Sequence, residues 1–143
     1  MDLWVETPLI YSNEISHKLG CAAYLKLEVS DRPQSSDTHL CNQTMQPGYS
    51  FKSRGLSHFL RQAKEVHGPD LHAVVASGGN AGIATACAAR VLGLHCTVYI
   101  PEGVAETTLQ FLKGQGAEVV VTGRLYAEAL EAARRAVHTE KDA

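Results

Sequence analysis

This sequence has no Cys-x-x-Cys pair, no excess of either charge, no long apolar run and no basic leader. Each absence removes a class of function. The four cysteines, Cys21, Cys41, Cys87 and Cys96, make no set with zinc spacing. His39 and Cys41 stand close in a polar stretch, and no metal is expected. Cys87 and Cys96 fall in apolar segments, where a free cysteine acts as a small hydrophobe, and all four are expected as reduced thiols. Thirteen Lys and Arg against 15 Asp and Glu give a net charge of −2, which offers no basic face to nucleic acid or an anionic membrane. No apolar run nears the roughly 20 residues of a membrane span. Met1-Asp2-Leu3-Trp4-Val5-Glu6 lacks the regions of a secretory signal, so cytoplasm is the expected compartment. Asn42-Gln43-Thr44, a glycosylation acceptor pattern, then carries no meaning.

The 143 residues are 45% apolar and 20% charged, the composition of an ordinary globular domain. From residue 54 the pattern is regular. Arg54 to His67 reads as a helix with Leu56, Phe59, Leu60 and Ala63 on one face, ended by Gly68-Pro69-Asp70. Leu71 to Ala76 reads as a buried strand, Asn80 to Leu92 as an alanine-rich helix closed by Gly93, and Cys96 to Ile100 as a strand ended by Pro101. Glu106 to Lys113 is expected as a helix, Glu118 to Thr122 as a strand, and Tyr126 to His138 as a helix with Ala127, Leu130, Ala133, Ala136 and Val137 inward. This alternation predicts an α/β fold, a three-layer parallel sheet with crossover helices. Right-handed crossovers place the first turn of each helix at the carboxyl edge of the sheet, where ligands bind.

The first 50 residues differ. A short helix is expected over Ser12 to Leu19, capped by Ser12 or Asn13 and closed by Gly20. Ala22 to Val29 alternates as a strand. Ser30 to Met45 is polar and aperiodic, longer than the roughly 12–15 residues usual for a structureless loop.

Two motifs carry chemistry. The first is Ser50-Phe51-Lys52-Ser53-Arg54-Gly55, with a lysine at a helix start. A lysine with its ordinary pKa of about 10.4 is protonated at pH 7 and cannot attack a carbonyl. Burial against Phe51, or positive potential from Arg54, would free its lone pair. The second is Ser77-Gly78-Gly79-Asn80-Ala81-Gly82, a strand-to-helix turn. Asn80 or Ser77 can cap the helix, and the N–H groups near its start can accept a carboxylate or phosphate. Alone, each has a plain alternative: a solvated lysine, and a tight turn with no ligand. The turn also approaches the dinucleotide fingerprint, with Glu102 at about the distance of a ribose-binding acid. Ser77 replaces that fingerprint's first glycine, and the reading leaves Lys52 without a role.

Together with Thr7-Pro8-Leu9, Tyr24-Leu25-Lys26-Leu27-Glu28, Gln46-Pro47 and Gly114-x-Gly116-Ala117-Glu118-Val119, the two motifs resemble the N-terminal part of the serine/threonine dehydratase family, in family order. The resemblance implies a fold type II pyridoxal-phosphate enzyme, with residues 51–143 as its small domain of tryptophan synthase β-like fold. Residues 1–50 would be the N-terminal segment of an incomplete large domain, with a polar insertion at 30–45. Lys52 would bind pyridoxal 5′-phosphate covalently and act as general base, Phe51 would lie against the ring, and Asn80 would bond the ring hydroxyl. Ser77, Gly78, Asn80 and Ala81 would hold the substrate carboxylate. The implied reaction is β-elimination of water from L-serine or L-threonine, giving pyruvate or 2-oxobutanoate and ammonia, in a homodimer. Other chemistry on the same fold (serine racemase, threonine synthase, cysteine synthase) stays open. So does a non-catalytic remnant that pairs with a full-length paralogue.

Three features depart from the family pattern. Tyr49 stands where a glycine is usual. The polar stretch lengthens the path from Glu28 to Gln46. After Gly82 only isolated glycines follow (Gly93, Gly103, Gly114, Gly116, Gly123), so the chain is expected to be truncated before most of the large domain and its phosphate cradle. Leu25, Leu27 and Val29 would then be exposed.

Overall fold

The computed structural model describes residues 3–28 and 46–141. The polar stretch 30–45, with Val29, His39, Cys41 and Asn42-Gln43-Thr44, lies outside the described residues. Ten elements follow in chain order: β1 (Leu9–Tyr11), α1 (Asn13–Leu19), β2 (Tyr24–Lys26), α2 (Lys52–His67), β3 (His72–Ala76), α3 (Asn80–Leu92), β4 (His95–Ile100), α4 (Glu106–Gly114), β5 (Glu118–Val121) and α5 (Tyr126–Lys141).

Strands β3, β4 and β5 form a parallel sheet in that order, with Val75 opposite Val98 and Tyr99 opposite Val120. Consecutive order with right-handed crossovers puts α3 and α4 on one face, while α5 folds back over β3 and β4. This is the three-layer α/β arrangement expected. Alternation along the strands sorts the side chains. Ala73, Val75, Cys96, Val98 and Ile100 face the helices α3 and α4, where they pack with Ala86, Ala89 and Leu112. Val98, Ile100 and Leu112 are fully buried, each contributing roughly 1.5–3 kcal/mol. The alanine stripe of α3 lets it lie close to the sheet. Burial pushes the thiols of Cys87 and Cys96 up to about 11, for Cys87 against a smaller lowering by Arg90. Both are packing residues.

Helix ends follow capping rules. Ser12 caps α1 through Ile15 N–H, and Gly20 and Gly93 close α1 and α3 in the left-handed conformation. Helix α2 begins at Lys52, two residues before the expected start at Arg54. Two inward assignments are corrected. Phe59 is exposed, because its stripe on α2 runs past the edge of β3. Ala127 is also exposed, and Ala129 is the fully buried alanine of α5. With alanines on several sides of that helix, the apolar pattern does not fix its phase.

Residues 3–28 pack differently. Strands β1 and β2 pair antiparallel, with Ile10 opposite Leu25, and all six residues are exposed. Leu25 is exposed as expected, while Leu27 is half-buried. The arm before β1 is tied to the domain by side chains. Gln46 exchanges two hydrogen bonds with the backbone of Val5, at 3.0 and 2.8 Å, and Ser57 donates to Leu3 O at 2.9 Å. Among the described residues no helix is long and apolar enough to cross a membrane, and no group of His, Cys, Asp and Glu is placed to hold a metal ion.

The start of α5 depends on one carboxylate. Glu128 Oε2 accepts the N–H groups of Arg124 (2.6 Å) and Leu125 (2.9 Å). The bond from Leu125, then that from Arg124, lowers its pKa. Stabilisation from a lowered carboxylate is complete above its unfolded value and is lost as pH falls through the folded one. On acidification through the carboxylate range, the amide resonances of Arg124 and Leu125 should therefore shift together and their exchange should quicken. In Glu128→Gln both should be insensitive to pH, as NMR titration would show.

Candidate active site

The turn after β3 is built around a missing side chain. A Cβ on Gly82 would stand 2.1 Å from the carbonyl oxygen of Ser77, so only glycine lets the strand end fold onto the first turn of α3. Gly78 is held less tightly, for a Cβ there would meet the side-chain methyl Val104 Cγ2 at 2.7 Å. A Cβ on Gly79 would meet nothing within 4 Å. Gly79 therefore faces open space, with the turn sealed beneath it.

The expected side-chain cap is absent. Gly79 itself is the N-cap of α3, in extended conformation, and among the described residues no side chain caps the first turn. Ser77 Oγ accepts from Gly79 N–H at 3.3 Å instead, and Asn80 is the exposed first residue of the helix. An uncapped helix start leaves N–H groups and the positive end of the dipole for an anion. Ser77, Gly78 and Ala81 are half-buried around it.

The lysine loop lies against the same helix. A Cβ on Gly48 would sit 2.8 Å from Ala84 Cα, Gly48 N–H donates to Ser53 Oγ at 3.0 Å, and Cys87 Sγ donates to Pro47 O at 3.4 Å. The loop thus reaches α2 across the N-terminal half of α3. Lys52, the first residue of α2, is exposed, and so is Phe51 before it. The structure thereby corrects two expectations. Phe51 builds no apolar wall over Lys52 among the described residues. Arg54 also turns away: it donates to Glu28 Oε1 (2.9 Å), Thr7 Oγ1 (2.8 Å) and Val5 O (3.1 Å), and lies 4.8 Å from the Trp4 ring. Its charge is spent on the N-terminal arm.

Three residues gain contacts or conformations that the sequence did not show, two of them, Ser50 and Tyr49, already marked by the motif and by its departure from the family pattern. Ser50 Oγ is buried with no hydrogen-bond partner, two residues before Lys52. Val104 closes over Gly78. Tyr49 takes a left-handed φ of 55°, alone among described non-glycine residues, and its ring meets Phe111 at 5.0 Å. No local spacing announces any of these. Glu102 is exposed and loosely paired with Arg124 at 3.9 Å. An apolar cavity of about 330 Å³, lined by Leu56, Phe59, Ala63, Val74 and Val137, runs along the free edge of β3 and belongs to neither motif.

Fold and site together define an α/β domain whose uncapped glycine turn shares a helix with a lysine-bearing loop. The family model described as pyridoxal-phosphate dependent enzyme matches residues 1–143, and the chain belongs to that family. It is 39% identical over 125 residues to the human protein named serine dehydratase-like, covering 87% of this chain and 33% of that one. A putative truncated L-serine dehydratase of Saccharomyces cerevisiae is 38% identical over 94 residues, 63% of this chain and 74% of that one. The crystal structure of a fungal L-serine ammonia-lyase from Rhizomucor miehei superposes with a TM-score of 0.72 at 27% identity, over 94% of this chain and 38% of that one. The chain thus spans about a third of the length of the human relative.

Part of the cofactor fits the residues present. A lysine at a helix start, the unspent Ser50 hydroxyl and the open Gly79 turn suit its aldehyde and ring end. The phosphate end finds no counterpart among the described residues. Gly93 closes α3, and Gly103, Gly116 and Gly123 make left-handed turns.

Gly82→Ala should lower stability by roughly 1–3 kcal/mol through forced overpacking. Gly79→Ala has room for its Cβ but puts a poor capping residue at the N-cap, so it should cost less, about 0.5–1 kcal/mol. Thermal unfolding of both variants, followed by circular dichroism, checks this contrast.

Proposed function

We propose that this chain carries the lysine and carboxylate half of a pyridoxal-phosphate-dependent L-serine ammonia-lyase, with L-threonine as the other candidate substrate. The observation that carries the reading is the uncapped start of α3, sealed beneath by Gly82 and shared with the loop that presents Lys52. The match to the family and the fungal ammonia-lyase likeness support it.

Lys52 Nζ is the attachment amine and, once released, takes the proton from the substrate's Cα. Phe51 would pack on the cofactor ring, and Asn80 would supply an amide to its hydroxyl. The backbone N–H groups at the Ser77–Ala81 turn, with the Asn80 amide, hold the substrate carboxylate, which aims its Cα at Lys52. Bound pyridoxal phosphate supplies an electron sink for the charge left when that proton departs. Loss of the β-hydroxyl as water and hydrolysis of the resulting enamine give pyruvate and ammonia from serine.

In this reading residues 51–143 are the small domain. Residues 1–50 belong to a larger domain, which supplies the phosphate cradle and the wall that buries Lys52. A cytoplasmic homodimer is the proposed form of the whole enzyme. A second reading, a non-catalytic remnant that joins a full-length paralogue, is favoured by two observations. No phosphate cradle is found among the described residues, and the β1–β2 ribbon has Leu9, Tyr11 and Tyr24 exposed at 61%, 54% and 58%. A two-stranded ribbon is at best marginally stable without a covering layer.

The test is cofactor trapping. The purified chain, mixed with pyridoxal phosphate and reduced with borohydride, should carry the label on Lys52 in preference to its other lysines. Lys52→Ala should lose the visible absorbance band. A label spread evenly over the exposed lysines would overturn the reading. Pyruvate release from L-serine then separates the enzyme from the remnant.

A further inference from the structure

Tyr49 combines a strained backbone with an aromatic contact at the edge of the proposed site. Its φ of 55° is disfavoured for a bulky side chain, so something must hold it there. Its own N–H donates to Gln46 O at 2.9 Å, which closes the turn, and its ring meets Phe111 on α4, with ring centroids 5.0 Å apart and planes at 57°. Such tilted pairs are attractive beyond the area that they bury.

The rest of the loop shows what this contact adds. Residues 46–48 are fixed to the N-terminal arm and to α3, through Gln46 on Val5 and Cys87 Sγ on Pro47 O. Residues 50 and 51 are tied only to the first turn of α2, by Ser53 N–H on Ser50 O (3.1 Å) and Arg54 N–H on Phe51 O (3.2 Å). The Ser50 hydroxyl finds no partner, and Phe51 is exposed. Helix α4 touches both halves of the site, because Val104 on its approach packs on Gly78 while Phe111 receives Tyr49. The aromatic pair therefore links the lysine loop to the element that also braces the glycine turn.

We propose that Tyr49 is a positioning residue. By its tilted ring contact with Phe111 it holds the start of α2, and hence Lys52, in register with the Ser77–Asn80 turn, with α4 as the bridge. The inference rests on Lys52 being the attachment amine. A glycine at 49 relieves the backbone yet removes the link, so the tyrosine's strain is retained for its ring.

The experiment compares Tyr49→Phe, Tyr49→Gly, Phe111→Ala and the double variant Tyr49→Gly/Phe111→Ala in the whole chain. Circular dichroism verifies folding, and Phe111→Leu replaces Phe111→Ala if that variant unfolds. Amide hydrogen exchange at residues 50–54 needs no cofactor. It should quicken roughly three- to tenfold in Tyr49→Gly and Phe111→Ala, with no further gain in the double variant, and stay at the parent rate in Tyr49→Phe. The rate of borohydride trapping on Lys52 should fall several-fold in the same two single variants and be restored by Tyr49→Phe. Unchanged exchange in Tyr49→Gly, or additive effects in the double variant, would overturn the proposal whatever the trapping shows. Altered exchange with no trapping in the parent chain would instead overturn the role assigned to Lys52, and with it the positioning function.

Discussion

The site depends on the contact between the carbonyl of Ser77 and the bare Cα of Gly82. Because no Cβ intervenes, β3 can end directly over the first turn of α3. The helix then starts at the carboxyl edge of the sheet, and among the described residues no side chain caps its free N–H groups. The alanine stripe of α3 and the buried Val98 and Ile100 of β4 hold that helix against the sheet. Stability and chemistry therefore meet at one glycine. The packing that seals the turn from below leaves its upper side open at Gly79 and Asn80.

A second constraint comes from Arg54. Its guanidinium gathers Glu28, Thr7, Val5 and Trp4 around the start of α2. It thereby joins the N-terminal arm to the helix that carries Lys52, and its guanidinium is directed to the arm rather than to that lysine. Glu28 Oε2 is buried with no hydrogen-bond partner, so the cluster is closed on one side only. The arm is held by polar bonds while β1 and β2 stay exposed.

Much of this was legible in the sequence where structure is local. Glycine-bounded segments with helical or strand periodicity gave α3 with its observed limits, and the ends of the other helices to within a few residues. The tight strand-to-helix turn followed from Gly78, Gly79 and Gly82 standing together. What depended on distant partners was not legible. Strand β1 is three residues long and exists only through pairing with β2. Arg54 was expected beside Lys52, but its partner Glu28 lies far back in the chain. Phe59 fits the inward stripe of α2, yet nothing in periodicity says that β3 is an edge strand. The cap expected from Ser77 or Asn80 failed because the glycine between them took that place. The strain at Tyr49 makes sense only once Phe111 is seen opposite.

The half-site that results is coherent by itself: a loop pinned on α3, an amine at a helix start and an open cradle on the next helix. Its central claim is that the first turn of α3 receives a substrate carboxylate. The most direct measurement is an amide NMR titration of the chain with L-serine in the presence of pyridoxal phosphate. The account predicts saturable shifts at Asn80, Ala81 and Gly82 that exceed those elsewhere in the chain. Resonances at that turn that stay fixed in a folded chain would contradict it.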